Sequence, residues 1–338
     1  QCHLIASGLH EAGVEATYLA VRGVEDATKL PYPVLNTEDS ARGIIKNCLE
    51  LKPDIVYWRY NKKHFNEVMS ALHAEGIPLI FSSSNAYDLK PFRLRPAIGV
   101  SLLKQWKRYA GQLLRGFKHN KALKLVSGIV CNNEAQINWQ KHKHRIYIPN
   151  SPFLEYEEQE FEPPYAVWVG NLKYHKNPDM FVDLAKDLAH TGLRFVMIGH
   201  MEDARFKYLE DEQKVPANFE YLGKQPIEKT NGYIKGSHFL VHTGGPEGFP
   251  NVFLQTWGLS KPVISLEFDP AGLILSESIG RLSGSYDQLK KDVAELNENE
   301  ALRTELGDNA RSMITSRFVK ELNVKKLIDF MQTVIKDQ

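Results

Sequence analysis

Short apolar runs alternate with stretches of helical period along most of the chain. Leu4 to Ala12 has helical spacing and closes at Gly13, and Ala16 to Val21 reads as the strand after it. Asp54 to Tyr60 is an apolar strand, Lys63 to Ala74 a helix stopped by Gly76, and Pro78 to Phe81 the next strand. Ile129 to Cys131 and Ile146 to Ile148 are short strands around a helix near Glu134. Between Asn150 and Pro164 the character changes. Ser151-Pro152, then Glu155, Glu157, Glu158, Glu160, Glu162 and Pro163-Pro164 form an acidic, proline-bounded linker. The alternation restarts with strands Ala166 to Val169, Arg194 to Ile198, Phe219 to Leu222, Phe239 to Val241 and Val263 to Leu266, with helices between them. Val319 to Ile335 is an amphipathic helix. Strands alternating with helices predict parallel sheets covered on both faces. The organisation is therefore a first α/β domain over 1–150, a linker over 151–164, a second α/β domain over 165–318 and a terminal helix over 319–338. A cleft separates the two domains, and ligands of such sheets bind at the carboxyl ends of the strands.

One βαβ unit carries most of the chemistry. The run Phe239 to Val241 leads into Thr243-Gly-Gly-Pro-Glu247-Gly-Phe-Pro-Asn-Val-Phe-Leu-Gln255, then an amphipathic segment from Val252 to Leu259, then Pro262 to Leu266 after Lys261. Pro250 fits a first helical position, where its missing N–H is not needed. The N–H groups of Gly248, Phe249, Asn251 and Val252 would then face the mouth of the sheet, a natural site for phosphate. Glu247 beside it would repel phosphate, and makes sense if it holds the hydroxyls of a sugar attached to that phosphate. A glycine-rich structural turn is the bland alternative.

Bulk properties narrow the classes. The chain has 338 residues, enough for two domains, and a formal net charge of +1, which predicts no nucleic-acid partner. No apolar run approaches the ~18 residues of a membrane span, and no signal peptide is visible. Cys2, Cys48 and Cys131 are far apart, lack metal-ligand spacing and read as small apolar fillers in a reducing compartment, which predicts a cytoplasmic protein. There is no Asp-x-Asp clamp, no His-Glu-x-x-His, no P-loop and no Gly-x-Ser-x-Gly elbow, so neither metal nor cofactor is expected.

The ordered set Thr243, Glu247-Gly-Phe-Pro-Asn251, Gln255 eight residues after the glutamate, and Lys261-Pro-Val resembles the donor site of the retaining glycosyltransferases of family 4, also known as group 1. The resemblance implies a GT-B fold: two Rossmann-like domains facing a central cleft, with the C-terminal helix packing back toward the first. It is strongest from Tyr165 onward. Val169-Gly170-Asn171-Leu172 followed by Lys176-Asn177-Pro178 resembles the loop whose Arg and Lys clamp the donor pyrophosphate. Lys176 matches, Asn171 stands where Arg is usual, and Lys173 is placed to supply the missing charge. Glu247 matches the family's glutamate for donor sugar hydroxyls. Gln255 replaces the second glutamate, which contacts the ribose, and a neutral amide there implies weaker donor binding. Gly244 stands where Ser is common, and Leu222-Gly223-Lys224 resembles the segment near the base. In the first half, Asp54-Ile-Val-Tyr57-Trp-Arg59-Tyr60 and Pro149-Asn150 resemble family segments, and Ser84 falls where a His near the reacting sugar is common. The family's first strand and Gly-rich loop would lie ahead of Gln1.

The implied activity is metal-independent transfer, with retention, of a hexosyl group from a nucleotide diphosphate sugar to a glycan or lipid-linked acceptor, as in polysaccharide biosynthesis. The site residues are Gly170, Asn171, Lys173, Lys176, Gly223, Lys224, Thr243, Gly244, Glu247, Gly248, Phe249, Pro250, Asn251, Val252 and Gln255, with Glu247 and Lys176 catalytic. Two alternatives stand beside it. Asn171, Gln255 and Ser84 favour a degenerate nucleotide-sugar-binding or scaffold subunit, and an epimerase would need acid/base side chains across the cleft that the sequence does not place.

The stretch from Pro91 to Arg145 is basic, with Glu134 its only acid. Within it Leu102, Trp106, Tyr109, Leu113 and Phe117 recur at helical spacing, flanked by Lys104, Lys107, Arg108, Arg115 and Lys118. Two readings are open: residues 101–118 lie on an anionic membrane surface, at the inner face of the membrane, or they form a domain helix that buries its Leu and Trp.

Overall fold

The computed structural model describes residues 1–21, 23, 27–59, 63–83, 86–90, 92, 94, 101–159, 164–245 and 248–337. The chain forms two compact units, Gln1–Ser151 with Lys320–Gln338, and Pro152–Val319. Each is a layered α/β structure in which every paired strand is parallel.

The first unit contains strands β1 (Tyr18–Ala20), β2 (Val34–Asn36), β3 (Val56–Arg59), β4 (Leu79–Ser82), β5 (Gly128–Cys131) and β6 (Arg145–Tyr147). Its helices are α1 (Cys2–Glu11), α2 (Ala41–Leu51), α3 (Phe65–Ala74), α4 (Ala86–Leu89) and α5 (Leu102–Leu123). Strands β3 to β6 form one sheet in sequence order, and β1 pairs with β2. The predicted helix near Glu134 is only a 3₁₀ turn, Glu134–Gln136. Alternate strand residues feed opposite faces of the sheet. Trp58, Leu79, Phe81, Ile129 and Cys131 pack on α2 and α3 side chains, while Ile80, Val130 and Ile148 meet Leu327, Phe330, Met331 and Val334 of the terminal helix. That approach explains Gly128: a Cβ there would lie 3.0 Å from Phe330 Cζ. Asn323 donates to Pro149 O (3.1 Å) and Ser151 Oγ (2.9 Å), and Lys320 pairs with Glu11 at 2.7 Å. The terminal helix thus belongs to the first unit. Cys48 and Cys131 are buried free thiols, and burial pushes each up to about 11, which makes them inert fillers.

The second unit contains β7 (Tyr165–Val169), α6 (Pro178–Asp187), β8 (Arg194–Ile198), β9 (Phe219–Tyr221), α7 (Ile227–Gly236), β10 (Phe239–His242), α8 (Asn251–Gly258), β11 (Val263–Ser265), α9 (Leu273–Ser276), β12 (Gly280–Leu282), α10 (Tyr286–Glu298) and α11 (Glu300–Arg317); α12 (Lys320–Lys336) is the terminal helix. The sheet runs β12-β11-β10-β7-β8-β9. Both faces are covered: Ala166, Trp168, Phe195 and Met197 join one core, and Tyr165, Val167, Val196 and Ile198 the other. The first half of the predicted linker is not a free connection. Phe153 O and Glu155 O accept from Asn231 Nδ2 at 2.9 and 2.8 Å, and Glu157 N–H donates to Glu228 O, which pins 153–157 along α7.

Candidate active site

The chain starts the second sheet at its centre with β7, moves outward through β8 and β9, then returns to the other side of β7 with β10. The order reverses between β7 and β10. Loops leaving the carboxyl ends of two such strands diverge, and the crevice between them is where open α/β sheets bind ligands. The loop after β7 carries Gly170 to Lys176, the loop after β9 carries Gly223 and Lys224, and the described residues after β10 and ahead of α8 are Thr243 to Gly245 and Gly248 to Pro250. Among the described residues, every predicted site residue except Asn251, Val252 and Gln255, which lie in α8, thus sits on a carboxyl-end loop of this sheet. Glu247 itself, with Pro246, lies outside the described residues.

Backbone economy ties these loops together. Gly170 N–H donates to Ile198 O at 3.0 Å, Leu172 N–H to His200 O at 2.8 Å and Gly199 N–H to Gly223 O at 2.9 Å, so the sheet continues past its strand ends. The close approach demands glycine at 199, where a Cβ would stand 1.7 Å from Gly170 O.

Thr243 joins the two sides of the reversal point. Its fully buried hydroxyl reaches Lys176 O at 2.8 Å and Asn177 O at 2.9 Å, and accepts from Trp168 Nε1 at 3.0 Å. Asn177 Nδ2 donates back to Thr243 O at 3.2 Å, and Gly245 N–H to His175 O at 3.2 Å. Asn177 adopts a left-handed conformation (φ 47°) that Asn tolerates better than most residues, and Pro178 then starts α6. Lys176 is half-buried on this clamp. Gly244 lies against it, since a Cβ at 244 would be 3.1 Å from His242 Nε2 and 3.4 Å from Lys176 Cα. His242 is itself buried, edge-on to Phe253 with centroids 5.0 Å apart and Nδ1 3.3 Å from Ser265 Oγ.

Helix α8 begins at Asn251, and Pro250 is its N-cap rather than its first helical residue, because its ψ of 123° is extended. Phe253 N–H returns to Pro250 O at 3.1 Å, so the N–H groups ahead of it have no intrahelical acceptor. No acidic residue occupies the first turn. Phe249 does not present its ring to a ligand. It is buried against Trp257 and Phe318 and anchors the entry to the helix.

Several predicted contacts are already engaged. Lys173 pairs with Glu202 at 2.9 Å, and Asn171 Nδ2 donates to the other Glu202 oxygen at 2.6 Å. The Lys173 charge is compensated there, and these partners hold the Glu202 carboxyl below its usual range, Lys173 foremost. Gln255 points into the protein: it is 9% exposed and its Nε2 donates to Asn231 Oδ1 at 2.7 Å. Asn231, fully buried on α7, thus couples α8 to the 153–155 backbone. Neither Asn231 nor Trp168 was predicted, and only the packing of distant segments reveals them. In the first unit, Arg59 donates to Asn150 Oδ1 at 2.6 Å and Ser82 Oγ at 2.9 Å, which joins two of the segments quoted for the resemblance. Ser84 lies outside the described residues. Among the described residues no group of three or more His, Cys, Asp or Glu could hold a metal ion.

Residues 155–313 match the family Glycosyl transferases group 1. That stretch, a little under half of the chain, is similar to the group 1 glycosyl transferases. Two uncharacterized glycosyltransferases of Methanocaldococcus jannaschii are similar to it, one 25% identical over 193 residues (54% of this chain, 53% of the relative) and one 26% identical over 157 (43% and 38%). The chain spans about half or less of the length of these relatives. Sucrose-phosphate synthase from Thermosynechococcus elongatus superposes with a TM-score of 0.74 at 13% identity, over 99% of this chain and 92% of that one. A glycosyltransferase from Rickettsia africae gives 0.72 at 14%, over 99% and 94%. The Anabaena protein HepE, solved in complex with UDP and glucose, gives 0.74 at 13%, over 98% and 94%. At these identities the likeness establishes the fold, which is GT-B.

Proposed function

We propose that the chain is a retaining, metal-independent glycosyltransferase that moves a hexosyl group from a nucleotide diphosphate sugar to a glycan or lipid-linked acceptor, in the cytoplasm. The observation that carries this reading is the clamp of Thr243, Lys176 and Asn177 at the reversal point of the second sheet. It fixes the backbone of a lysine and the start of α6 beside the β10 loop at the crevice. HepE, which shares the fold, binds UDP and glucose. The diphosphate lies at the start of α8, where N–H groups of Asn251 and Val252 and the Lys176 ammonium meet the charge that develops as the sugar departs. Lys176 and the helix start assume the role that a divalent ion has in other sugar transfers. Glu247 orients the sugar through its hydroxyls, and the leaving phosphate takes the acceptor proton. Gly223 and Lys224 line the base.

A nucleotide-sugar-binding subunit without turnover is the second reading, favoured by the Asn171–Glu202 and Gln255–Asn231 contacts. Thermal shift against a panel of nucleotide sugars, followed by transfer or hydrolysis of the labelled hit, separates the two. A donor at a hundred times its dissociation constant stabilises the fold by ~2.7 kcal/mol. Glu247→Ala is expected to abolish turnover and leave binding of the bare nucleoside diphosphate nearly unchanged. Wild-type binding without turnover selects the second reading, and no stabilisation by any nucleotide sugar refutes both.

A further inference from the structure

Helix α5 turns its apolar residues outward. Leu102, Leu103, Trp106, Leu114 and Phe117 are 81%, 68%, 70%, 66% and 63% exposed. The residues it turns toward the first unit are Gln105, Tyr109, Gln112, Gly116 and His119, whose ring packs on Phe65 at 5.2 Å while Nε2 meets Asp88 O at 2.9 Å. The expectation that this helix buries its Leu and Trp is therefore overturned, and Tyr109 leaves the apolar face. At about 100° per residue the helix has three sectors. An apolar one, about 120° wide, holds Leu102, Leu103, Trp106, Leu113, Leu114 and Phe117. A basic one beside it holds Lys104, Lys107, Arg108, Arg115 and Lys118, and the third faces the protein. Phe92, also exposed, stacks edge-on to Phe117 at 5.0 Å and widens the patch. The 22-residue helix has no acidic residue.

We infer that this face of α5 docks the first unit onto an anionic lipid bilayer, lying in the interface with its apolar sector among the acyl chains and its basic sector among the headgroups. Two features select that occupant. A contiguous exposed apolar patch marks an interaction surface, and an adjoining basic sector on a helix without acidic residues asks for an anionic counterpart on one side only. A bilayer offers apolar depth and a charged plane at that spacing. The helix is no membrane span: among the described residues none is long and apolar enough to cross. The inference does not depend on the activity proposed above.

Trp106 is the most exposed of the five tryptophans and serves as a probe in a Trp139→Phe background, because Trp139 is half-buried while Trp58, Trp168 and Trp257 are 8%, 2% and 0% exposed. The test sediments the full chain with vesicles of phosphatidylglycerol and phosphatidylcholine, or of phosphatidylcholine alone, while Trp emission and iodide quenching are read. Anionic vesicles are expected to bind the chain, shift its emission to the blue and shield Trp106 from iodide. Raising salt from about 0.05 to 0.5 M, which shortens the screening length severalfold, is expected to weaken binding at least tenfold. Lys104→Gln, Lys107→Gln and Lys118→Gln together, and separately Leu103→Ser with Phe117→Ser, are expected to lose binding with an unchanged melting temperature. No binding to anionic vesicles at low salt overturns the inference, as does binding that leaves Trp106 open to iodide. Concentration-dependent self-association that shields Trp106 without lipid also overturns it, and assigns the face to a second copy.

Discussion

Thr243→Val tests the clamp at the heart of the proposed donor site. Valine matches threonine in shape, so the change removes a hydroxyl and leaves no cavity. The structure says what that hydroxyl does: it bonds the carbonyls at 176 and 177 and accepts from the indole N–H of Trp168. Asn177 O keeps the N–H of Met180, 3.2 Å away, so the principal losses are the acceptor of Trp168 Nε1 and the donor to Lys176 O. A buried polar group left unpaired costs about 1–3 kcal/mol, so two give roughly 2–6 kcal/mol, with the lower end set by any relaxation. Thr243→Ser keeps the hydroxyl and removes one methyl, a loss of about 1 kcal/mol. Urea unfolding followed by tryptophan fluorescence reads both variants, since Trp168 reports on the affected unit. Binding of a nucleoside diphosphate reads the second consequence, because the Lys176 segment loses a tether to the β10 loop. Valine should weaken that binding clearly, and serine should nearly preserve it. If the valine variant stays within about 0.5 kcal/mol of wild type, or if serine is as damaging as valine, the hydroxyl does not organise the loops and the reasoning fails.

Two further outcomes follow from buried contacts. Gln255→Glu sets a carboxylate against Asn231 Oδ1, whose amide N–H groups already serve Phe153 O and Glu155 O. It is expected to lose about 1–3 kcal/mol without tightening donor binding; calorimetry showing tighter donor binding at unchanged stability would place Gln255 at the ribose instead. His238 is pushed down to about 4 from the usual 6.5, by burial first and then by Arg303 and Lys261. The folded state resists its proton while the unfolded chain accepts it, so this residue's contribution to stability is present above pH 6.5 and is lost as pH falls toward 4. His238→Gln is expected to flatten the urea midpoint over that range relative to wild type; identical pH profiles would remove His238 as a cause.

Much of this protein is legible in the order of its residues. The apolar runs from Ala166 to Val169 and from Arg194 to Ile198 could only be buried strands, since both faces of each are apolar and helices flank them. Lys176-Asn177-Pro178 reads correctly as a loop entering a helix because a left-handed Asn and an N-terminal Pro are local chemistry. Short strands such as Val34–Asn36 and Gly280–Leu282 escape such reading, because three residues carry too little pattern to outweigh their neighbours. The roles of single polar side chains escape it as well. Spacing alone sends Gln255 toward a ribose and leaves Lys173 ready for a phosphate, yet Asn231 and Glu202 claim them. Those partners lie 24 and 29 residues away, brought close by the sheet. The same holds for α5. Its amphipathic period is written in the sequence, but a period defines a stripe and not the side of the helix that meets the protein. Which side faces inward was decided by the neighbours, Phe65 and Asp88 O receiving His119, and that choice left Leu102, Trp106 and Phe117 to the outside.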